Sequence, residues 1–221
     1  MILEKSTGPL FVVYSVRIHL IQKITMSDTP QYTCAVKVGE KIPDLTLKAY
    51  HKDDIVDISL KEAQGKWLVL FFYPADFTFV CPTELEEMAG LYDSFVKEGA
   101  EIMSVSTDTH WVHKAWHDES DAIKKIQFPM LADPTGKLSR AFGVYIEDEG
   151  VALRGSFLID PKGVIQAMEV HADGVGRSAK ELYRKFQAAK FVAEHGGQVC
   201  PASWQPGDDT LQPGLDMVGK I

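Results

Sequence analysis

The sequence predicts a three-layer α/β sandwich built around a mixed β-sheet. Three observations predict it: an apolar run typical of a strand covered on both faces, helical periodicity directly after that run, and later strands joined by a tight turn. With 221 residues, of which 45% are hydrophobic and 24% charged, the chain is long enough for one well-buried domain and too short for two large ones.

The first half of the chain alternates strands with a helix. A weakly alternating apolar pattern predicts a hairpin, and the unbroken run Trp67-Leu-Val-Leu-Phe-Phe72 predicts a central strand. Leu85, Met88 and Phe95 recur at helical spacing before Gly99, which ends the helix and leads into the second strand of a β-α-β unit. The predicted elements are strands 45–49, 55–59, 67–72 and 102–106 and helix 83–97.

The second half contains a second hairpin and the longest predicted helix. The turn Asp160-Pro-Lys-Gly163 joins two apolar strands. Ser178-x-x-Glu181 is the pattern of a capping box, and Gly196 ends the apolar stripe that follows it. A segment rich in proline and glycine then predicts an irregular tail. The predicted elements are strands 129–132, 151–159 and 164–170 and helices 111–118, 137–142 and 178–195.

The charge balance excludes two classes of partner. The chain carries 31 acidic and 23 basic residues, for a net charge of -8. A net negative surface repels nucleic-acid phosphates and anionic lipids unless basic residues cluster, and the sequence has no run of Lys or Arg. We therefore expect neither nucleic acid nor a membrane as partner.

The first 25 residues are unlike the rest of the chain. Their apolar stretch, Leu10-Phe-Val-Val-Tyr14, is followed by basic residues and is too short to span a membrane. The segment lacks the small-residue cleavage site of a secretory signal, with a weak signal or transit peptide as the alternative. The polar segment that opens at Met26 is typical of a natural start. We therefore expect residues 1–25 to lie outside the fold and the protein to be cytoplasmic.

Cysteine usage points to thiol chemistry. Cys34, Cys81 and Cys200 are too few for a disulfide-stapled secreted scaffold, and none has the C-x-x-C spacing of zinc or dithiol sites. The odd number favours a reactive thiol in a reducing compartment.

Cys81 is the candidate nucleophile. It follows the central strand at the opening of a helix, at the end of a parallel sheet where α/β proteins place ligands. With Thr78 as N-cap, Cys81 falls at the third helical position, where free N–H groups and the helix dipole stabilise a thiolate and lower the thiol pKa. The alternative is an inert, buried cysteine with Thr83-x-x-Glu86 as the cap.

The segment around Cys81, Pro74-x-x-x-Thr78-x-x-Cys81, resembles the active-site motif of the peroxiredoxins. The resemblance extends in order over residues 37–221. This whole segment is similar to typical 2-Cys peroxiredoxins of the bacterial alkyl hydroperoxide reductase peroxidase type. The further matching stretches are Trp111-Val-His-Lys-Ala-Trp116, Leu153-Arg-Gly-Ser-Phe-Leu-Ile-Asp160, Val199-Cys-Pro-Ala-Ser-Trp204 and Leu215-Asp-Met-Val-Gly-Lys-Ile221.

The resemblance implies a thioredoxin-like peroxidase domain over residues 37–195. Residues 1–36 would be an N-terminal extension that includes Cys34, which has no counterpart and is expected to be inert. Residues 196–221 would be a C-terminal tail that carries Cys200.

The resemblance also implies the activity, a thiol-dependent reduction of hydrogen peroxide and organic hydroperoxides to water or alcohols, with no bound cofactor. Cys81 would become a sulfenic acid, and Thr78 would hydrogen-bond both thiolate and peroxide. Pro74 would shield the sulfur, Arg154 would stabilise the thiolate and the transition state, and Glu84 would orient that arginine. These roles are chemically reasonable, because a leaving oxygen that takes up negative charge needs fixed donors more than a strong base.

Cys200 matches the resolving cysteine of these proteins. A flexible tail can deliver a thiol to a distant sulfenic acid, and the disulfide protects that sulfur from irreversible oxidation. The resemblance implies attack on Cys81 of the partner subunit, in a homodimer that assembles into a decamer ring. Its electron donor would be a flavoprotein disulfide reductase or thioredoxin.

Two other functions compete with this interpretation. A thioredoxin-type disulfide reductase is disfavoured because Glu84 stands where C-x-x-C has its second cysteine. A non-enzymatic holdase or redox-signalling scaffold would use the same rings, but would not need Thr78, Cys81, Arg154 and Cys200 together.

Three histidines in and next to the predicted helix 111–118 raise the question of a metal site. His110, His113 and His117 lie on roughly one face, but the sequence offers no fourth ligand at a suitable spacing. We therefore expect solvated surface histidines and no bound metal.

Overall fold

The computed structural model describes residues 35–220, so Cys34, most of the predicted extension and residue 221 lie outside the described residues. Within that range, a seven-stranded mixed sheet carries helices on both faces, which confirms the predicted fold class. The strands are β1 (Thr46–His51), β2 (Asp54–Ser59), β3 (Trp67–Phe72), β4 (Ala100–Ser106), β5 (Met130–Ala132), β6 (Tyr145–Ile146), β7 (Val151–Ala152), β8 (Arg154–Ile159) and β9 (Ile165–His171). The α-helices are α1 (Cys81–Lys97), α2 (His110–Glu119), α3 (Lys137–Ala141) and α4 (Ala179–Glu194).

The strand order in the sheet is β2-β1-β5-β4-β3-β8-β9. β3 pairs in parallel with β4, as the β-α-β prediction requires, and antiparallel with β8. Both predicted hairpins are present, as β1 with β2 and as β8 with β9. The carboxyl end of β3 therefore meets the amino end of β8, and this meeting point is where the reactive cysteine is expected.

The central strand separates two hydrophobic cores. Every residue of β3 is buried, as expected for a strand covered on both faces. Trp67, Val69 and Phe71 face a core shared with α1, α2 and α4. The intervening residues Leu68, Leu70 and Phe72 face a second core that includes α3. Because side chains alternate across a strand, one apolar run supplies both cores.

The predicted strand 151–159 is interrupted. The backbone N–H of Leu153 donates to the carbonyl oxygen of Val144 at 2.7 Å, and β7 pairs with β6 in a separate two-stranded ribbon. The chain enters the main sheet from Arg154 onward. Apolar patterning continues through the interruption, so local sequence does not predict it.

Helix α4 begins as predicted. The Ser178 hydroxyl accepts a hydrogen bond from the backbone N–H of Glu181 at 3.3 Å, which confirms the N-cap. The Glu181 carboxylate does not complete a capping box, because it pairs with Arg184 at 2.8 Å instead.

The tail contains more local structure than its composition suggests. Val199 and Leu211 form an isolated antiparallel bridge. Inside the closed loop, Trp204 is buried, and its ring lies 5.0 Å from that of Phe191 on α4. Arg184 donates to the carbonyl oxygen of Trp204 at 2.8 Å, so helix α4 holds the tail in place.

The two faces of β3 lead to a stability prediction. Leu70 is fully buried, so Leu70→Ala should lower the free energy of unfolding by about 2 to 5 kcal/mol through lost burial and cavity formation. Urea unfolding measures this loss. The matched control is Leu215→Ala, whose side chain is 95% exposed and whose loss should change stability by less than about 0.5 kcal/mol. Equal effects of the two substitutions would contradict the assignment of the core.

Candidate active site

Cys81 is the first residue of α1 and is completely buried. Val80 is the N-cap and provides no side-chain hydrogen bond, so the prediction that Thr78 caps the helix is wrong. The Thr83 hydroxyl donates to the carbonyl oxygen of Val80, so the alternative cap is wrong as well. The sulfur nevertheless lies at a helix N-terminus, where the dipole stabilises negative charge.

Arg154 contacts the sulfur directly. Its Nη1 donates to Sγ of Cys81 at 3.3 Å and to Oε2 of Glu84 at 2.8 Å. The contact follows from strand pairing, because Phe71 of β3 lies opposite Ser156 of β8 and Arg154 is the first residue of β8. Although burial disfavours its charge, hydrogen bonds and charges of Cys81 and Glu84 raise the pKa of Arg154 above its ordinary value.

Glu84 lies one helical turn after Cys81 and joins two buried arginines. Its Oε2 accepts from Arg154, and its Oε1 accepts from the backbone N–H of Arg177 at 2.8 Å and from Nε of Arg177 at 2.9 Å. Burial alone would raise the pKa of Glu84, but hydrogen bonds and charge from Arg177, with the charge of Arg154, hold it below the ordinary value.

Arg177 is a site residue that the sequence analysis missed. It is buried, donates to the carbonyl oxygen of Gly155 at 2.7 Å, and stacks its guanidinium 3.5 Å from the ring centre of Phe71. Arg177 thereby holds Oε1 of Glu84, while Oε2 accepts from Arg154. A lone arginine just before a helix cap is typical of the protein surface, so the local sequence contains no signal for this role.

Pro74 and Thr78 flank the loop that leads to Cys81. Pro74 is buried, whereas Thr78 is half-buried and its hydroxyl donates to the carbonyl oxygen of Ala75 at 2.8 Å rather than to Cys81. Between them, Phe77 has a φ of 55°, which is uncommon for a residue with a side chain. This backbone turn allows the chain to pass from β3 into α1.

A second polar cluster holds this loop against α2. Asp76 accepts hydrogen bonds from the Tyr73 hydroxyl at 2.7 Å and from Nδ1 of His113 at 2.7 Å. Nε2 of His113 lies 3.1 Å from the carbonyl oxygen of Leu131. Both ring nitrogens of His113 therefore lie within hydrogen-bond distance of an oxygen atom. The expectation of a surface histidine is wrong for His113, which is fully buried.

Cys200 lies in the tail, in a different environment. It is half-buried, and its Sγ lies 3.8 Å from the carbonyl oxygen of Ala188 on α4. Burial raises the pKa of this thiol, although the charge of Arg184 partly offsets the effect. Cys81 and Cys200 are both free thiols in this structure.

Two other features of the described residues bear on the earlier expectations. Between residues 35 and 220, no three His, Cys, Asp or Glu side chains are grouped to hold a metal ion. In the same range, every helix is too short or too polar to cross a membrane.

The fold and this site define a class, a thiol-dependent oxidoreductase with a thioredoxin-like fold. Residues 38–168 match the model of the AhpC/TSA family, and residues 188–219 match that of the C-terminal domain of 1-Cys peroxiredoxin. The chain belongs to the AhpC/TSA family. It is therefore a peroxiredoxin, a peroxidase that works through a thiol.

Individual relatives agree with this assignment. Alkyl hydroperoxide reductase C of Staphylococcus saprophyticus is 53% identical over 186 residues, which cover 83% of this chain and 98% of that protein. The Escherichia coli protein of the same name is 51% identical over 184 residues, again 83% and 98%. The crystal structure of Enterococcus faecalis AhpC superposes with a TM-score of 0.73 at 49% identity, covering 74% and 98% of the chains. The reduced 2-Cys peroxiredoxin of Plasmodium vivax reaches 0.78 at 32% identity, covering 85% and 96%.

The lowered pKa of Glu84 leads to a pH prediction. Its ionised form stabilises the fold at pH values above its ordinary pKa of 4.5, and this contribution disappears as the pH falls through the lower folded value. Glu84→Gln should therefore cost about 3 kcal/mol of unfolding free energy at pH 7, because the buried arginines lose their counterion, and progressively less below pH 4.5.

Urea unfolding of both proteins between pH 3 and pH 7 makes the comparison. The control is Glu119→Gln, which changes an exposed carboxylate at the end of α2 and should have little effect. A Glu84→Gln cost that stays constant across the pH range would show that the stabilisation does not come from the charge.

Proposed function

We propose that the chain reduces hydrogen peroxide and organic hydroperoxides at Cys81. The thiolate attacks the terminal oxygen of R–O–O–H, so that an S–O bond forms as the O–O bond breaks. Sulfur is oxidised by two electrons to sulfenic acid, and the departing oxygen takes up a proton and leaves as alcohol or water. The observation that carries this proposal is the 3.3 Å contact between Arg154 and a buried sulfur at a helix N-terminus.

Arg154 has a donor left for the peroxide in this scheme. Contacts within residues 35–220 engage both Nη1 hydrogens, the Nε hydrogen and one Nη2 hydrogen. The remaining Nη2 hydrogen stabilises the charge that develops on the peroxide oxygens. Glu84 and Arg177 hold Arg154 in place, Pro74 shields the sulfur from water, and Thr78 redirects its hydroxyl from Ala75 towards the bound peroxide.

Cys200 resolves the sulfenic acid. Its thiolate attacks the oxidised sulfur of Cys81 in the partner subunit, a disulfide forms as the S–O bond breaks, and the departing hydroxide takes up a proton and leaves as water. Because Cys81 is fully buried and Cys200 is held against α4, the start of α1 and the tail must both open locally for the sulfurs to meet.

The homodimer forms through β9. This strand is one edge of the seven-stranded sheet, and only its first residue, Ile165, is paired on the outer side, with Gly39 and Glu40. The rest of such an edge is a template for pairing with another chain. Met168 and Val170 on β9 are exposed apolar residues, which supports burial against a second copy.

Ring assembly uses a different surface, beside the active site. Phe77, Phe79 and Trp111 are exposed aromatic residues on the loop before α1 and on α2, and Phe79 is 92% exposed. Aromatic residues of this kind are enriched in the buried centres of protein interfaces. Five dimers joined through this surface form the decamer. Sedimentation of the reduced protein measures the mass of this assembly.

The disulfide is reduced by a dithiol donor in the cytoplasm. A flavoprotein disulfide reductase and thioredoxin both supply the two electrons and two protons that are needed. A coupled NAD(P)H oxidation assay with each donor distinguishes them. A holdase or signalling scaffold is the competing function, and turnover of peroxide in that assay would exclude a purely structural role.

The roles of the two cysteines give a kinetic prediction. Cys81→Ser should abolish peroxide consumption, because no thiolate faces Arg154. Cys200→Ser should consume about one equivalent and then stop with Cys81 as sulfenic acid, because the resolving thiol is missing. Peroxide consumption and trapping of the sulfenic acid measure both results. Multiple turnovers by Cys81→Ser would contradict the assignment.

Non-reducing gel electrophoresis tests where the disulfide forms. The oxidised wild-type protein should migrate as a covalent dimer, and both cysteine variants should migrate as monomers. A monomeric oxidised band that contains a Cys81–Cys200 bond would show that the disulfide forms within one subunit.

The donors around the sulfur give a second kinetic prediction. Arg154→Ala and Thr78→Val should each slow oxidation of Cys81 by about a hundredfold to a thousandfold, the usual effect of losing one preorganised donor. Stopped-flow measurement of the first turnover reports this rate. Arg140→Ala, which removes an exposed arginine paired with Glu147, is the control and should leave the rate unchanged. Rates within twofold of wild type for the first two variants would contradict their roles.

A further inference from the structure

Asp173 places an exposed negative charge beside the buried reaction centre. Its backbone carbonyl oxygen accepts from Nε of Arg154 at 2.6 Å, and its carboxylate Oδ1 accepts from Nη2 at 3.1 Å. The side chain of Arg154 is 3% exposed, whereas that of Asp173 is 68% exposed. One guanidinium therefore contacts the reactive sulfur inside the protein and a solvent-facing carboxylate at its rim.

The charges joined through Arg154 are unequal when Cys81 is ionised. Arg154 and Arg177 supply two positive charges, and the thiolate, Glu84 and Asp173 supply three negative ones. Without Asp173, this cluster would be neutral. Asp173 is also the one exposed member, so its charge faces the solvent while the other charged groups of the cluster are buried.

We propose that Asp173 makes this site select uncharged hydroperoxides over hydroperoxides that carry an anionic group. The inference rests on the proposed function, because it concerns the substrate of Cys81. The carboxylate and the sulfur contact the same guanidinium, so they lie within the Debye length, which is about 10 Å at 0.1 M salt. At that separation, the carboxylate repels an anion that is in position to react.

A purely structural role for Asp173 predicts a different effect on the reaction rates. If the residue did no more than position Arg154, its loss would change the reaction of every hydroperoxide by the same factor. Selection by charge changes the ratio of rates between charged and uncharged substrates. Asp173→Asn separates the two roles, because the amide oxygen can still accept from Arg154 while the charge is gone.

The experiment uses three hydroperoxides that differ in one substituent. Cumene hydroperoxide is uncharged, its para-carboxylate analogue is anionic, and its para-trimethylammonium analogue is cationic. Stopped-flow measurement of the first turnover gives the second-order rate constant of the full-length reduced protein for each. Rates are compared as ratios to cumene hydroperoxide, first at low salt and then in 0.5 M NaCl.

Asp173→Asn should raise the anionic-to-uncharged ratio by about threefold to tenfold at low salt and lower the cationic-to-uncharged ratio by a similar factor. High salt should shrink both changes. Asp121→Asn is the matched control, since it removes one charge from a fully exposed aspartate elsewhere and should leave both ratios unchanged.

Two results would overturn the inference, and they differ. Ratios that stay the same in Asp173→Asn, or that shift equally in Asp121→Asn, would show that Asp173 does not select by charge, while peroxide reduction stands. Failure of all three hydroperoxides to oxidise Cys81 in the wild-type protein would overturn the proposed function and the inference together.

Discussion

The candidate site depends on one interaction, the ion pairing of the buried Glu84 carboxylate with two arginines. Glu84 lies on α1, one turn after Cys81, and binds Arg154 at the start of β8 and Arg177 just before α4. Three elements distant in sequence therefore meet at one side chain. Two guanidinium groups buried without that carboxylate would be left with unbalanced charge, which costs several kcal/mol in a protein interior. The same interaction thus maintains the packing of α1 against the sheet and the aim of Arg154 at the sulfur.

Local sequence patterns identified most of the elements, because each of these elements has a short-range physical signature. The apolar run of β3 follows from burial on both faces, and the start of α4 follows from the Ser178 cap. Patterns failed where a distant partner decides the outcome. The division of the predicted strand 151–159 accompanies a hydrogen bond from Leu153 to Val144. The cap prediction failed locally instead: the Thr78 hydroxyl binds the carbonyl oxygen of Ala75, three residues earlier, and Val80 precedes the first residue of the helix.

The site shows the same limit. Cys81, Glu84 and Arg154, each named from the family motif, converge in the structure, whereas Thr78 makes no hydrogen bond to the sulfur within the described residues. The role of Arg177 was not predicted and His113 was expected at the surface, because the importance of both comes from burial, which their immediate neighbours do not reveal. An arginine before a cap and a histidine on an amphipathic helix are ordinary surface residues until Glu84 or Asp76 is brought against them.

The unusual backbone at Phe77 bears on the proposed opening of the loop that leads to Cys81. A left-handed conformation costs a residue with a side chain roughly 1–2 kcal/mol, and Phe77 adopts it with a φ of 55° in the loop that the Asp76–His113 pair anchors. That strain disappears when the loop relaxes. The closed loop therefore already contains part of the free energy that its opening requires, while the Asp76–His113 pair keeps it closed. In the proposed reaction cycle, in which the start of α1 opens so that Cys200 can reach Cys81, such an arrangement would reduce the free energy needed for opening while the resting fold stays stable.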